Sequence, residues 1–170
     1  MTLAQLINLM YNIVDRIYIG HIPNASSQAL TGIGMTLPMI TIMIAFANLF
    51  GMGGAPLFSI ARGGKEEERA GNIMGTTCSM LILSAAALMV SGFLLKRPLL
   101  YLFGASDATF PYANDYISIY LLGTGFVMLS LGMNSFINAQ GFGKTGMLSV
   151  LIGAFANIIL DPIFIFGFHM

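Results

Sequence analysis

Two carboxylates, Asp15 and Asp161, lie inside apolar stretches of this chain. Charged side chains within a membrane span are costly, and they usually face other protein groups or a water-filled cavity. A polar residue precedes each acid by four positions, Tyr11 before Asp15 and Asn157 before Asp161. Residues four apart share one helix face. A desolvated carboxylate favours a bound proton or cation over a bare charge. The pattern therefore indicates a site for a proton, a sodium ion or an organic cation.

The two acids are also expected at a similar depth. They fall in the first and fifth apolar stretches, which run in the same direction, and each lies about two turns before the end of its stretch. Competition between an ion and a cationic substrate for these carboxylates is the simplest mechanism for antiport. Structural explanations stay open as well. Asp15 can pair with Arg16, and Asp161 with Pro162 can mark a helix kink. The asparagines can simply join helices by hydrogen bonds.

Membrane-spanning helices must position these residues. Of 170 residues, 56% are hydrophobic and 8% are charged, and the mean hydropathy is +0.83. Soluble domains carry about 25% charged residues. Backbone amides in hydrocarbon must bond within their own segment, so the sequence predicts an all-α, polytopic membrane protein. Stretches near the required length of about 20 residues occur five times, at about Leu3–Ile22, Met35–Ala61, Ile73–Leu95, Tyr116–Ala139 and Met147–Phe168.

Nearly all the charges fall in the predicted links between these spans. The run Arg62–Arg69 joins the second and third spans, Lys96-Arg97-Pro98 begins the next link, and Gly143–Gly146 joins the fourth and fifth. The positive-inside rule then predicts a cytoplasmic N-terminus. Seven Lys and Arg residues balance seven Asp and Glu residues, so nucleic acid is not expected as a partner.

Five motifs resemble those of the multidrug and toxic compound extrusion (MATE) transporters, in their prokaryotic form. They occur in the order typical of that family and extend over essentially the whole chain. The motifs are Tyr11–Gly20, Ala29–Gly34, Gly51–Ala55, Asn138–Gly141 and Asn157–Phe164.

This resemblance implies twelve helices in two six-helix lobes, around a central cavity that opens alternately to either side. It also implies a first-lobe ion site for H⁺ or Na⁺, with residues from the first, fourth and fifth helices: Tyr11, Asp15, Tyr116, Asn134, Asn157 and Asp161. Residues 1–170 are accordingly expected to form a partial N-terminal transmembrane lobe, with the sixth helix and the second lobe absent.

The function expected from the resemblance is ion-coupled antiport that exports amphipathic or cationic drugs across the plasma (inner) membrane. No enzymatic activity is expected, because no paired His, Ser/His or Cys/His arrangement lies at a plausible depth. No cofactor is expected apart from the coupling ion, and no metal apart from Na⁺ at Asp15, Asn157 and Asp161. The expected partners are small amphipathic cations, the lipid bilayer and a second-lobe chain.

Two alternatives to the antiporter stay open. One is a fragment that transports nothing or needs a partner chain. The other is a flippase for lipid-linked oligosaccharides from the same superfamily. A flippase site is expected to carry cationic groups that meet an anionic headgroup, whereas the acids here favour cations.

Overall fold

The computed structural model describes the backbone of residues 26–162 and the side chains of residues 27–156. This part of the chain forms four helices: α1 (Ser26–Gly63), α2 (Glu67–Leu102), α3 (Phe110–Ala139) and α4 (Gly143–Pro162). The first three are long and apolar enough to cross a membrane, and α4 carries a shorter apolar stretch, Gly143–Ala156. The described residues form no strand, and the predicted all-α membrane fold is confirmed. The predicted span Leu3–Ile22 lies outside the described residues.

The helices extend beyond the predicted spans at several ends. We expected Lys96-Arg97-Pro98 to begin a link, and this is wrong, because α2 continues to Leu102. Pro98 removes only one helical hydrogen bond, while Leu100 in the next turn is fully buried. The Lys96 ammonium also donates to the Ser118 hydroxyl of α3 at 2.8 Å. Packing against α3 therefore keeps this charged turn helical.

The links between the helices are short. Only residues 64–66 separate α1 from α2, with Lys65 at a positive φ of 59°. The run Arg62–Arg69 is therefore a tight turn followed by a helix start. At the same end of the bundle, the Arg62 guanidinium donates at 2.8 Å to the side chain of Gln140, the residue that follows α3. The turns after α1 and after α3 therefore lie side by side, as expected for alternating spans.

Helices α1, α2 and α3 pack against one another, and α4 packs on α3. Small residues allow the close approaches, as in other membrane helix pairs. A Cβ added at Gly51 of α1 would lie 2.7 Å from the Cα of Gly132 in α3. Thr124 of α3 donates from its hydroxyl to the Met43 sulfur at 3.4 Å. Both contacts join residues 81 positions apart (132 − 51 and 124 − 43), so α1 and α3 run parallel in one register.

Three buried clusters form the core between these three helices. The largest fully buried apolar side chains are Leu81, Leu100, Ile117, Leu121, Met128 and Phe136. Many large apolar side chains on the outer surface are exposed, which suits a bundle surrounded by lipid or by further helices.

Candidate ion and substrate site

The predicted site residues are divided between described and undescribed parts of the chain. Tyr11 and Asp15 lie outside the described residues. Asn157 and Asp161 lie on α4, about one turn apart near its C-terminal end, but their side chains are not described. Only Tyr116 and Asn134, both on α3, have described side chains.

Asn134 holds the start of α4. Its amide nitrogen donates to the carbonyl oxygen of Gly146 and to the hydroxyl of Ser149, each at 3.1 Å. Its amide oxygen accepts a hydrogen bond from Asn138, one turn later, at 2.8 Å. A Cβ at Gly146 would lie 2.7 Å from the Asn138 side-chain oxygen, so glycine permits this approach. The observed contacts of Asn134 are therefore structural, and its role at an ion site stays a prediction.

Tyr116 stacks with Tyr120, one turn further along α3, with ring centroids 6.4 Å apart and an interplanar angle of 28°. Both rings are half-buried. In the next turn, the buried Thr124 hydroxyl donates to the Tyr120 carbonyl at 3.1 Å as well as contacting Met43 of α1. The sequence pointed to Tyr116 but missed Tyr120. The spacing of four between the two tyrosines was the available signal.

Helix register gives the relative depths of these residues. From Ser149 to Asp161 is twelve residues, or about 18 Å of helix. Asn134 contacts Ser149, and α3 and α4 run in opposite directions. The α3 residue level with Asp161 is therefore the one twelve positions before Asn134, in the turn that contains Tyr120. By this count, the backbone of Asp161 is expected near the depth of the tyrosine pair, about 18 Å from Asn134 along the helix axis.

The described acids cluster near the helix ends. The chain contains seven acids, and five have described side chains, all exposed: Glu66, Glu67, Glu68, Asp107 and Asp115. Within the described part of the chain, no group of three or more His, Cys, Asp or Glu side chains could hold a metal ion. The side chains of Asp15 and Asp161 are not among those described, so their place in an intramembrane site stays a prediction.

An exposed polar side chain near the middle of α1 was not predicted. Asn48 makes no side-chain hydrogen bond to any described residue. The signal was a single amide inside the apolar run Met39–Leu49. That run was assigned as a span on its mean hydropathy, which a single asparagine barely alters.

A bundle with three helices of membrane-spanning length and apolar outer surfaces defines a polytopic α-helical membrane protein. The MatE family model matches residues 1–163, and the chain belongs to the MATE family. It is 31% identical, over its whole length, to the multidrug export protein MepA of Staphylococcus haemolyticus. It is 29% identical to MepA of Staphylococcus aureus, again over its whole length. The chain covers 37% of each of these relatives.

Solved structures share the fold. A MATE protein in a bent conformation superposes with a TM-score of 0.87 at 22% identity, covering 97% of this chain and 36% of that one. An outward-facing multidrug resistance MATE transporter of the MOP superfamily gives a TM-score of 0.88 at 22% identity, with 98% and 36% covered. The proteins named in these comparisons are exporters and transporters rather than enzymes.

Proposed function

We propose that this chain forms part of an ion-coupled exporter of amphipathic, cationic compounds. The observation that carries the proposal is its similarity, over the entire chain, to proteins named as multidrug exporters. The chain spans just over a third of their length. We therefore assign export to an assembly that contains this chain together with a second lobe.

The proposed coupling site contains Asp15, Asp161, Asn157 and Tyr11. A carboxylate held away from water binds a proton or Na⁺ and also attracts an organic cation. Occupancy by the coupling ion lowers the affinity for the cationic substrate, and by linkage the substrate lowers the affinity for the ion. The depth expected for Asp161 by residue counting, near the stacked tyrosines, supports this proposal, because an aromatic face attracts organic cations.

The plasma membrane is the proposed location. A gradient of H⁺ or Na⁺ across that membrane would supply the driving force, and export would end outside the cell. Fractionation of membranes from cells that express the chain tests this assignment. Recovery of the chain from another membrane would contradict it.

An exchange chimera tests the proposed function. Residues 1–170 replace the matching segment of S. aureus MepA, to which they align over their full length. Ethidium efflux is then measured in vesicles under an imposed H⁺ or Na⁺ gradient. We expect gradient-driven efflux from the chimera and none from the 170-residue chain expressed alone. Recovery on co-expression with the remaining part of MepA would identify a split transporter.

The decisive variant is Asp161→Asn, with Asp115→Asn as its matched control. Asp115 is exposed near the start of α3 and accepts a hydrogen bond from Asn114 at 3.1 Å. We expect Asp161→Asn to remove most of the gradient-driven efflux, because an amide cannot carry the charge that the coupling ion and the cation compete for. The control should transport normally. Equal efflux by the two variants would refute a coupling role for Asp161.

A further inference from the structure

Two polar stripes run along neighbouring helices of the bundle. On α1, Thr41, Asn48 and Ser59 are spaced by seven and eleven residues, close to two and three helical turns. On α3, a second polar stripe lies on one helix face, with spacings of 4, 14 and 4 residues, and consists of Tyr116, Tyr120, Asn134 and Asn138. At one end of the α1 stripe, the Ser59 hydroxyl donates to the Ala139 carbonyl of α3 at 3.2 Å. The α1 stripe therefore runs along the flank of α1 that borders α3.

Both stripes face away from α2. On α1, Gly54 packs against Thr77 of α2 and also approaches Phe136 of α3. At about 100° per residue, Asn48 lies about 120° around the helix from Gly54. On α3, Gly132 meets Leu81 of α2, and Asn134 lies about 160° from it by the same rule. The two stripes thus border one side of the α1–α3 pair, the side on which α4 packs through Asn134.

Most of the large exposed side chains of α1 are apolar. They are Leu37, Ile42, Phe46, Leu49, Met52, Leu57 and Ile60. Met52 lies one turn from Asn48 on the same face. Leu49 is 63% exposed and lies one residue from Asn48, so the two positions share a depth but face about 100° apart. An amide facing hydrocarbon would lose its hydrogen bonds to water. The cost of an amide without hydrogen bonds therefore indicates a polar environment beside Asn48, whereas Leu49 can face lipid.

The depths of the stripe residues fit one elongated ligand. With the 81-residue offset between α1 and α3, Thr41 lies level with Leu122, within a turn of Tyr120. Asn48 lies level with Leu129, about 14 Å from Tyr120 along the axis. The Thr41 hydroxyl donates to its own helix at Leu37 and keeps its lone pairs available. On this side of the bundle, the Asn48 amide thus lies about 14 Å from Tyr120 along the helix axis. One elongated ligand can span that distance.

We propose that Asn48 is a substrate-binding residue that helps to determine specificity. It hydrogen-bonds a polar group of an aromatic cation whose charged ring contacts the Tyr116–Tyr120 pair, and Thr41 lines the path between them. This inference rests on the proposed export function and identifies a substrate contact outside the acidic coupling site. Replacement of Asn48 by leucine should reduce affinity most for substrates with a hydrogen-bonding group at that distance from the cationic ring.

Substituted-cysteine labelling in the MepA chimera tests the inference. Cys78 and any cysteine in the MepA part are replaced by serine, and Asn48→Cys is compared with Leu49→Cys at the same depth. The reagent is a membrane-impermeant, charged methanethiosulfonate. We expect Asn48→Cys to react about tenfold faster, because water reaches one flank and lipid covers the other. Pentamidine, whose two benzamidinium groups are joined by a flexible linker, should slow that reaction about tenfold at about ten times its Kd.

Either of two results would overturn the inference. Equal rates for Asn48→Cys and Leu49→Cys would mean that Asn48 does not face an aqueous path, as expected if it packs against another helix. Fast labelling without pentamidine protection would mean that the ligand does not contact Asn48. Thr41→Cys provides a second variant if Asn48→Cys fails to fold. Labelling needs no ion gradient, so its outcome is independent of whether efflux is ion-coupled.

Discussion

The contact between Gly51 and Gly132 gives a sharp prediction about what holds α1 and α3 in register. A Cβ in a Gly51→Ala variant would lie 2.7 Å from the Gly132 Cα and 2.9 Å from the Gly132 carbonyl oxygen. Carbon atoms pack at about 3.5 Å or more, so the helices must separate by about 0.8 Å. Both neighbouring atoms are backbone atoms and cannot rotate away. Overpacking of this kind costs about 1–3 kcal/mol.

Gly53→Ala is the matched control, because no atom lies within 4 Å of a Cβ at that position. Both changes gain about 1 kcal/mol of helix propensity. The difference between the variants therefore isolates the steric cost. We expect Gly51→Ala to be less stable than Gly53→Ala by about 1–3 kcal/mol.

Thermal unfolding of the purified chain in detergent micelles, at one fixed scan rate, measures this difference. At roughly 2–4 °C per kcal/mol for a chain of this size, Gly51→Ala should unfold about 2–12 °C below Gly53→Ala. Equal unfolding temperatures would refute the reasoning. They would mean that the α1–α3 backbone contact does not set the packing, and the 81-residue register that relates the two polar stripes would lose its main support.

Two further substitutions test the packing around the candidate site. Asn134→Ala removes both hydrogen bonds to the start of α4 and should lower the free energy of unfolding by about 1–3 kcal/mol. Amide hydrogen exchange should speed up around Gly146 while α2 stays protected. Unchanged exchange around Gly146 would contradict the assigned role. Leu121→Ala leaves a cavity at a fully buried position against Gly92 and should lower stability by about 2–5 kcal/mol, as measured by thermal unfolding. The same truncation at the exposed Leu122 should cost much less. Similar losses of stability at both positions would contradict the described core.

The membrane fold was predictable because the length and apolarity of the spans follow directly from the bilayer. The helix ends were less predictable. Lys96 and Arg97 look like a link in sequence, but the turn they form stays helical because Leu100 is buried and Lys96 donates to Ser118. The Leu100 side chain lies in the core and the Lys96 hydrogen bond is made to α3. The hydropathy of one segment reveals neither. Tertiary packing therefore set the end of α2.

The candidate site was predictable only in part. The cost of a buried charge singles out Asp15 and Asp161 from sequence alone. Asn48 was missed because its significance depends on the flank of α1 that it occupies, which is known only after α2 and α3 are placed. Similarly, the glycine cluster Gly51–Gly54 acquires a role from Gly132, 81 positions further along the chain. Such pairings depend on register between helices and leave no local pattern.

Reciprocal binding tests most directly the central claim that acids of this chain couple an ion to the exported cation. Ethidium affinity of the purified chimera is measured at increasing concentrations of H⁺ or Na⁺. We expect the coupling ion to weaken ethidium binding by about 5- to 150-fold, the usual range of coupling between two sites, and Asp161→Asn to abolish this dependence. Ethidium binding that is independent of both ions, or that keeps its ion dependence in Asp161→Asn, would contradict the account.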